Sequence, residues 1–149
     1  MALRRLKIAT WVSILGLCLS MAAFGVSILN YFTAKERYAA SNTLSNLDKR
    51  LNPEITSAMR HIAACLRDDV PCDPMRDLET QQAFFVFFGY LDSVAFCVQL
   101  DLCSDKIARS ALAAEIDAAK HFQGWIADAR QRFGDSDYLL ATEEVLLSR

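Results

Sequence analysis

The sequence predicts an all-α protein: an N-terminal transmembrane helix with a helical stalk, followed by a small antiparallel helical bundle. Three observations carry that expectation. A 25-residue run, Ile8 to Phe32, holds no charge. Glycine and proline are scarce, at 5 and 3 in 149 residues, which disfavours strand-and-turn architectures. The other apolar residues fall in helix-length segments separated by capping and breaking residues. The length suits one domain plus an anchor. It divides into residues 1–7 (basic flank), 8–32 (span), 33–51 (stalk) and 52–149 (bundle).

The span comes first. A helix of 25 residues reaches roughly 35 Å, enough to cross a hydrocarbon core of about 30 Å with tilt. Trp11 and Tyr31 lie near its two ends, where aromatic side chains suit the interfaces. A cleaved signal peptide is the competing reading, with Ser20-Met21-Ala22 as a small-x-small site. The apolar run continues well past that point and exceeds the usual h-region, which favours an uncleaved signal anchor. Cys18 is no lipoprotein signal, because Leu17 before it is too bulky. Arg4, Arg5 and Lys7 precede the span, against Lys35 and Arg37 after it. The bias leans towards a cytoplasmic N-terminus and a periplasmic C-terminal domain in a bacterial inner membrane.

Small residues recur along the span at Ala9, Ser13, Gly16, Ser20, Ala23, Ser27 and Asn30, in alternating steps of four and three. In lipid, helices associate through close packing and interhelical hydrogen bonds, and small residues permit both. This seam is the expected docking face for another transmembrane helix, from a second copy or another subunit. The bland alternative is chance, since small residues are common in membrane helices.

The next elements follow from local signals. No breaker interrupts Tyr31 to Arg50, so the helix is expected to continue as a stalk. Asn52-Pro53-Glu54 starts a second helix to about Arg67: Asn caps, Pro suits the first position, and the acid suits the positive end. Residues 68–77 hold two prolines and Asp68, Asp69, Asp73 and Asp77, an exposed loop. The third helix, about Leu78 to Leu100, is apolar nearly all round. It is either the central core helix or a second membrane segment, and Asp92 in its middle favours the core. Phe84, Phe85, Phe87 and Phe88 then supply much of the packing. A fourth helix is expected from Ser104-Asp105 to Phe133, stopped by Gly134. Asp135-Ser136-Asp137 caps a short fifth, Tyr138 to Ser148.

Candidate chemistry is sparse. After the span, 13 Lys and Arg face 18 Asp and Glu, an acidic balance that argues against nucleic acid. Cys65, Cys72, Cys97 and Cys103 are candidates for two disulfides, most simply 65–72 and 97–103. Cross-pairing or reduced thiols packed as small hydrophobes are the alternatives. His61, Cys65 and Cys72 are three soft ligands, but their spacing matches no zinc motif, so no metal is expected. Asp117 and His121 read as a helix-face contact. Asp92, if buried, needs a partner, with Arg109 first and Lys120 or Arg130 as substitutes; otherwise it faces solvent. There is no G-x-S-x-G elbow, P-loop or dinucleotide fingerprint. Neither enzymatic activity nor a cofactor is expected.

The stretch GYLDSVAFCVQLDLCSD, followed by a helix containing F-Q-G-W-I, resembles a family of small bacterial membrane proteins of unknown function. The matching features are the Tyr90-Leu91-Asp92 step and the turn from Leu100-Asp101 to Asp105. The cysteines are not part of that pattern. The resemblance implies a bacterial membrane-anchored protein and brings no activity with it. The expected role is a non-enzymatic accessory or assembly subunit. The alternative is a membrane-tethered sensor or defence/exclusion factor whose helical domain recognises a ligand or protein.

Overall fold

A computed structural model describes residues 2–67, 72–134 and 137–148, with side chains described from Gly16 onward. The described residues are helical and contain no strand. The chain divides into two compact units, Met1–Arg37 and Tyr38–Arg149.

The first unit is the N-terminal part of α1, Ala2–Asp48. Residues 8–32 and most of residues 33–51 thus form one helix, as the absence of breakers predicts. From Gly16 onward its apolar side chains find no cover: Leu17 is 61%, Phe24 70% and Leu29 67% exposed.

The second unit begins with the end of α1. A 3-10 turn, Lys49–Leu51, closes that helix. α2, Pro53–Leu66, starts where its capping signal lies: Asn52 Oδ1 accepts from Glu54 N at 2.9 Å, and Pro53 occupies the first turn. Its buried residues Ala58, Ile62 and Cys65 form one stripe at steps of four and three. α3, Leu78–Gln99, is capped by Asp77, whose carboxylate accepts from Thr80 N at 2.7 Å. The Thr80 hydroxyl also donates to this carboxylate, and that bond, with the one from Thr80 N, holds the Asp77 carboxyl below its ordinary range.

α3 is the central helix. It packs on α2, on the first helix after it and on the C-terminal segment, which is why it is apolar on several faces. Phe84, Phe87, Phe88, Leu91 and Val94 are at most 1% exposed. Trp125 stacks on Phe88 at 5.1 Å between centroids and meets Phe84 edge-on at 5.0 Å.

The expected long fourth helix is three: α4 (Asp105–Ala111), α5 (Ala113–His121) and α6 (Gln123–Phe133). Its apolar residues explain the breaks. Ile107 to Leu112 is a step of five and Ile116 to Phe122 a step of six, so a straight helix would scatter them around its circumference. Leu112 and Phe122 leave helical geometry, near φ −104° and −108°; beyond the breaks, α5 packs on α2 and on the C-terminal segment, and α6 meets α3 through Trp125. Gly134, at φ 66°, ends α6 in the left-handed conformation that glycine adopts without steric cost. The fifth helix is shorter than expected, a π-helical segment over Thr142–Leu147. Leu139 turns into it at φ 58°, held by burial at 3% exposure. The residues proposed to cap it, Asp135 and Ser136, lie outside the described residues, as do Asp68 and Asp69 of the acidic loop.

Candidate functional site

Two features of the described structure could carry function: the apolar surface of α1 and the clefts around α2. α1 and α3 are each long and apolar enough to cross a membrane. α3 spends much of its apolar surface inside the second unit, whereas none of the corresponding stretch of α1 is buried. Along α1, the seam residues Gly16, Ser20, Ala23, Ser27 and Asn30 are all exposed. Ser20 Oγ donates to Gly16 O and Ser27 Oγ to Ala23 O, both at 2.9 Å, so these hydroxyls are satisfied within their own helix. Ala9 and Ser13 belong to α1, but their side chains lie outside the described residues, as do those of Arg4, Arg5 and Lys7.

The four cysteines of the second unit pair locally. Cys65 is bonded to Cys72 and Cys97 to Cys103, with Cα atoms 5.2 Å apart in each case. The second bridge closes the loop against which α1 ends. Asn42 Nδ2 donates to Leu102 O at 3.2 Å, and Ser104 N donates to Thr43 Oγ1 at 2.8 Å. Asn46 Nδ2 lies 3.5 Å from both Cys97 and Cys103 sulfurs. The soft-ligand trio is spent elsewhere. Cys65 and Cys72 bond each other, and His61 Nε2 lies 2.9 Å from Thr80 Oγ1, which in turn donates to Asp77. Asp117 and His121 are both exposed.

Asp92 and Arg109 do not form the ion pair that the sequence suggested. The C-terminal segment takes one of them at each end. Asp92 Oδ1 accepts from Thr142 N at 3.1 Å and from Thr142 Oγ1 at 2.9 Å, at the segment's start. Arg109 donates to the carbonyls of Val145 (through Nη2) and Leu146 (through Nη1, 3.2 Å) at its end, and its Nε reaches Asp105 at 2.7 Å. The reason is helix chemistry. The first turn offers free N–H groups and positive polarity to a carboxylate, and the last turn offers free carbonyls to a guanidinium. Arg130 ties α6 to the same segment through Glu143 Oε2 at 2.5 Å.

Asp92→Ala is expected to lower stability by about 1–3 kcal/mol, because it strands the amide and hydroxyl of Thr142 in the core. Thr142 has 0% exposure, so water cannot replace the lost acceptor. Asp92→Asn keeps one acceptor oxygen and should lose clearly less. Thermal melts of both variants check this; equal melting points for Asp92→Ala and the parent would refute the capping role.

Two clefts flank α2. One, of about 310 Å³, lies between α2 and α3 and is lined by Glu54, Ser57, His61, Glu79 and Gln82. The other, of about 180 Å³, lies between α2, α3 and α5 and is mostly apolar, with Glu115 in its wall. Glu115 is a charged residue that the sequence reading passed over. Its side chain is 8% exposed, and Oε1 lies 2.6 Å from Arg50 Nη2. A signal was present: with Leu112, Ile116 and Ala119, it sits on the apolar face of its helix. Tyr90 is buried nearby with no partner for its hydroxyl. Burial pushes its phenol up to about 12; the Arg50 charge opposes that rise and the Glu115 charge adds to it.

No protein-family model matches this chain, nor does any curated protein or solved structure. What the fold defines is therefore a class: an all-helical protein with a long N-terminal apolar helix and a disulfide-bonded helical unit.

Proposed function

We propose that this chain is a non-enzymatic, membrane-anchored interaction protein, an accessory or assembly subunit of a bacterial inner-membrane complex. Residues 8–32 span the bilayer. The small-residue face docks another transmembrane helix, from a second copy or another subunit. The N-terminus is cytoplasmic, and the second unit is a small antiparallel helical bundle in the periplasm. One observation carries this reading: α1 is apolar, long enough to cross, and uncovered along its described apolar length. Lipid would satisfy that surface, and the helix already satisfies its own backbone. The two disulfides suit an oxidising compartment, and the basic residues before the span suit a cytoplasmic N-terminus.

The test has two steps. Alkaline carbonate should leave the chain in the membrane pellet; release into the supernatant would sink the span. Native mass measurement in mild detergent should then find an assembly heavier than one chain, and Gly16→Leu should reduce it to the single-chain mass. Assembly that survives Gly16→Leu would mean that α1 is only a tether. Gly16 suits the test, because a Cβ there meets nothing within 4 Å beyond its chain neighbours and the backbone of its own helical turns.

A second reading, a membrane-tethered sensor or exclusion factor, is favoured by the apolar cleft between α2, α3 and α5. It predicts a lone chain in the same mass measurement.

A further inference from the structure

We infer that the outer face of α3 is a second contact between two copies of this chain, each laying its α3 against the other's. The inference rests on the α1 docking proposed above in one respect: α1 holds the copies close, so that a contact too weak to hold them alone can form.

The face is one file of residues. Apart from Glu79 and Gln99 in its end turns, the exposed positions of α3 are Leu78, Gln82, Phe85, Gly89, Ser93 and Phe96. They follow one another at steps of four and three, and Leu100 at the C-cap continues them. Leu78, Gly89 and Leu100 are eleven apart, as are Phe85 and Phe96. An eleven-residue repeat stays close to the period of the helix itself, so the file runs almost straight along one side.

This file is apolar and uncharged. Leu78 is 67%, Phe96 54% and Leu100 50% exposed. The exposed faces of α2, α5 and α6 all carry charge, through Glu54 and Arg60, Asp117 and Lys120, and Asp128 and Arg132. The Ser93 hydroxyl donates to Tyr90 O at 2.8 Å, so it can leave water without stranding a donor. Gly89 has no use within the chain. Glycine inside a helix is less favourable than alanine, yet a Cβ at 89 meets nothing within 4 Å beyond its chain neighbours and the backbone of its own helical turns. What glycine permits there is the close approach of a helix from outside, with Phe85 and Phe96 on either side of the crossing.

The same file selects a second copy. A two-fold pair uses one patch twice, so a charge near the axis would meet its like; this file brings none. Large residues at 85 and 96 flank small ones at 89 and 93, and the order reads the same in both directions, so the file fits its own copy. A neutral face also offers a different protein no charge pattern by which to be selected.

The test uses the full chain in membranes. Cys18→Ser removes the free thiol, and the other four cysteines are bonded. Ser93→Cys then places one thiol on the face, and a short bismaleimide joins two thiols within its reach. A product of twice the chain mass should form, in roughly fivefold or greater excess over that from Asp117→Cys, an exposed site on α5. Gly89→Leu should lower the Ser93→Cys product by roughly fivefold or more and leave the thermal melt of the second unit no lower. Should Gly89→Leu fail to fold, Phe96→Glu brings like charges together at an exposed site and should lower the product similarly. The inference is overturned if no doubled product forms, if the product has another mass, if Asp117→Cys gives as much, or if the folded face variant leaves the yield unchanged. Native mass in mild detergent separates the two failures: an assembly without the Ser93→Cys product leaves the α1 docking standing, and a lone chain removes both.

Discussion

Phe88→Ala should lower the unfolding free energy of the second unit by about 3–5 kcal/mol, the usual cost of emptying a buried aromatic site. Phe88 has no exposed surface. Its ring stacks on Trp125 and meets Phe87 at 5.1 Å in each case, and it lies 5.9 Å from Phe84. Aromatic pairs add to burial through their quadrupoles, so the loss falls on Trp125 and Phe84 as well. Those two belong to different helices, and Trp125 is the main aromatic link from α6 to α3. A single domain holds only about 5–15 kcal/mol in total, so one substitution removes a large share. Phe96→Ala on the same helix is the control. Phe96 is 54% exposed and should change stability by no more than about 0.5 kcal/mol. Urea titration followed by circular dichroism checks both. Similar midpoints for the two variants would contradict the central place of α3.

The local signals in the sequence found their structures, because they act over a few residues. Asn52-Pro53-Glu54 starts α2, and Gly134 ends α6. The all-round apolarity of α3 matches a helix packed on several sides. What escaped is tertiary. Neither Leu112 nor Phe122 is a Gly or Pro; the breaks separate short helices that pack on different neighbours, α5 on α2 and the C-terminal segment, α6 on α3 through Trp125. Asp92 was recognised as needing a partner, but that partner is the amide and hydroxyl of Thr142, 50 residues away, which no pattern of charged side chains reveals. Arg109 looked like a countercharge, and it closes a helix end instead. Glu115 was legible as a charge on an apolar face, but its pairing with Arg50 requires the fold. The clefts are likewise products of packing, since their walls come from helices distant in sequence.

Removing the Cys97–Cys103 bridge should have the other large effect. A closed loop of about seven residues restricts the unfolded chain enough to contribute about 2 kcal/mol, and the Cys65–Cys72 loop is of similar size. Loop length alone therefore makes the two bridges equivalent. Their surroundings do not. Leu102 and Ser104, which flank Cys103, hold Asn42 and Thr43 of α1, and Asn46 lies against the bridge itself. Thr43 and Cys103 are buried, at 0% and 5% exposure, so loosening this loop also uncovers the end of α1 inside the second unit. Cys97→Ser with Cys103→Ser should accordingly cost more than Cys65→Ser with Cys72→Ser. It should also speed hydrogen exchange at the Ser104 amide, which donates to Thr43 Oγ1. Denaturant melts of the two double variants give the first comparison, and exchange in the folded state gives the second. If both variants lose the same stability and Ser104 exchanges no faster, the loop contributes only its closure. If the 97–103 variant loses more and Ser104 opens, the bridge is what keeps residues 42–46, the end of α1, packed within the second unit.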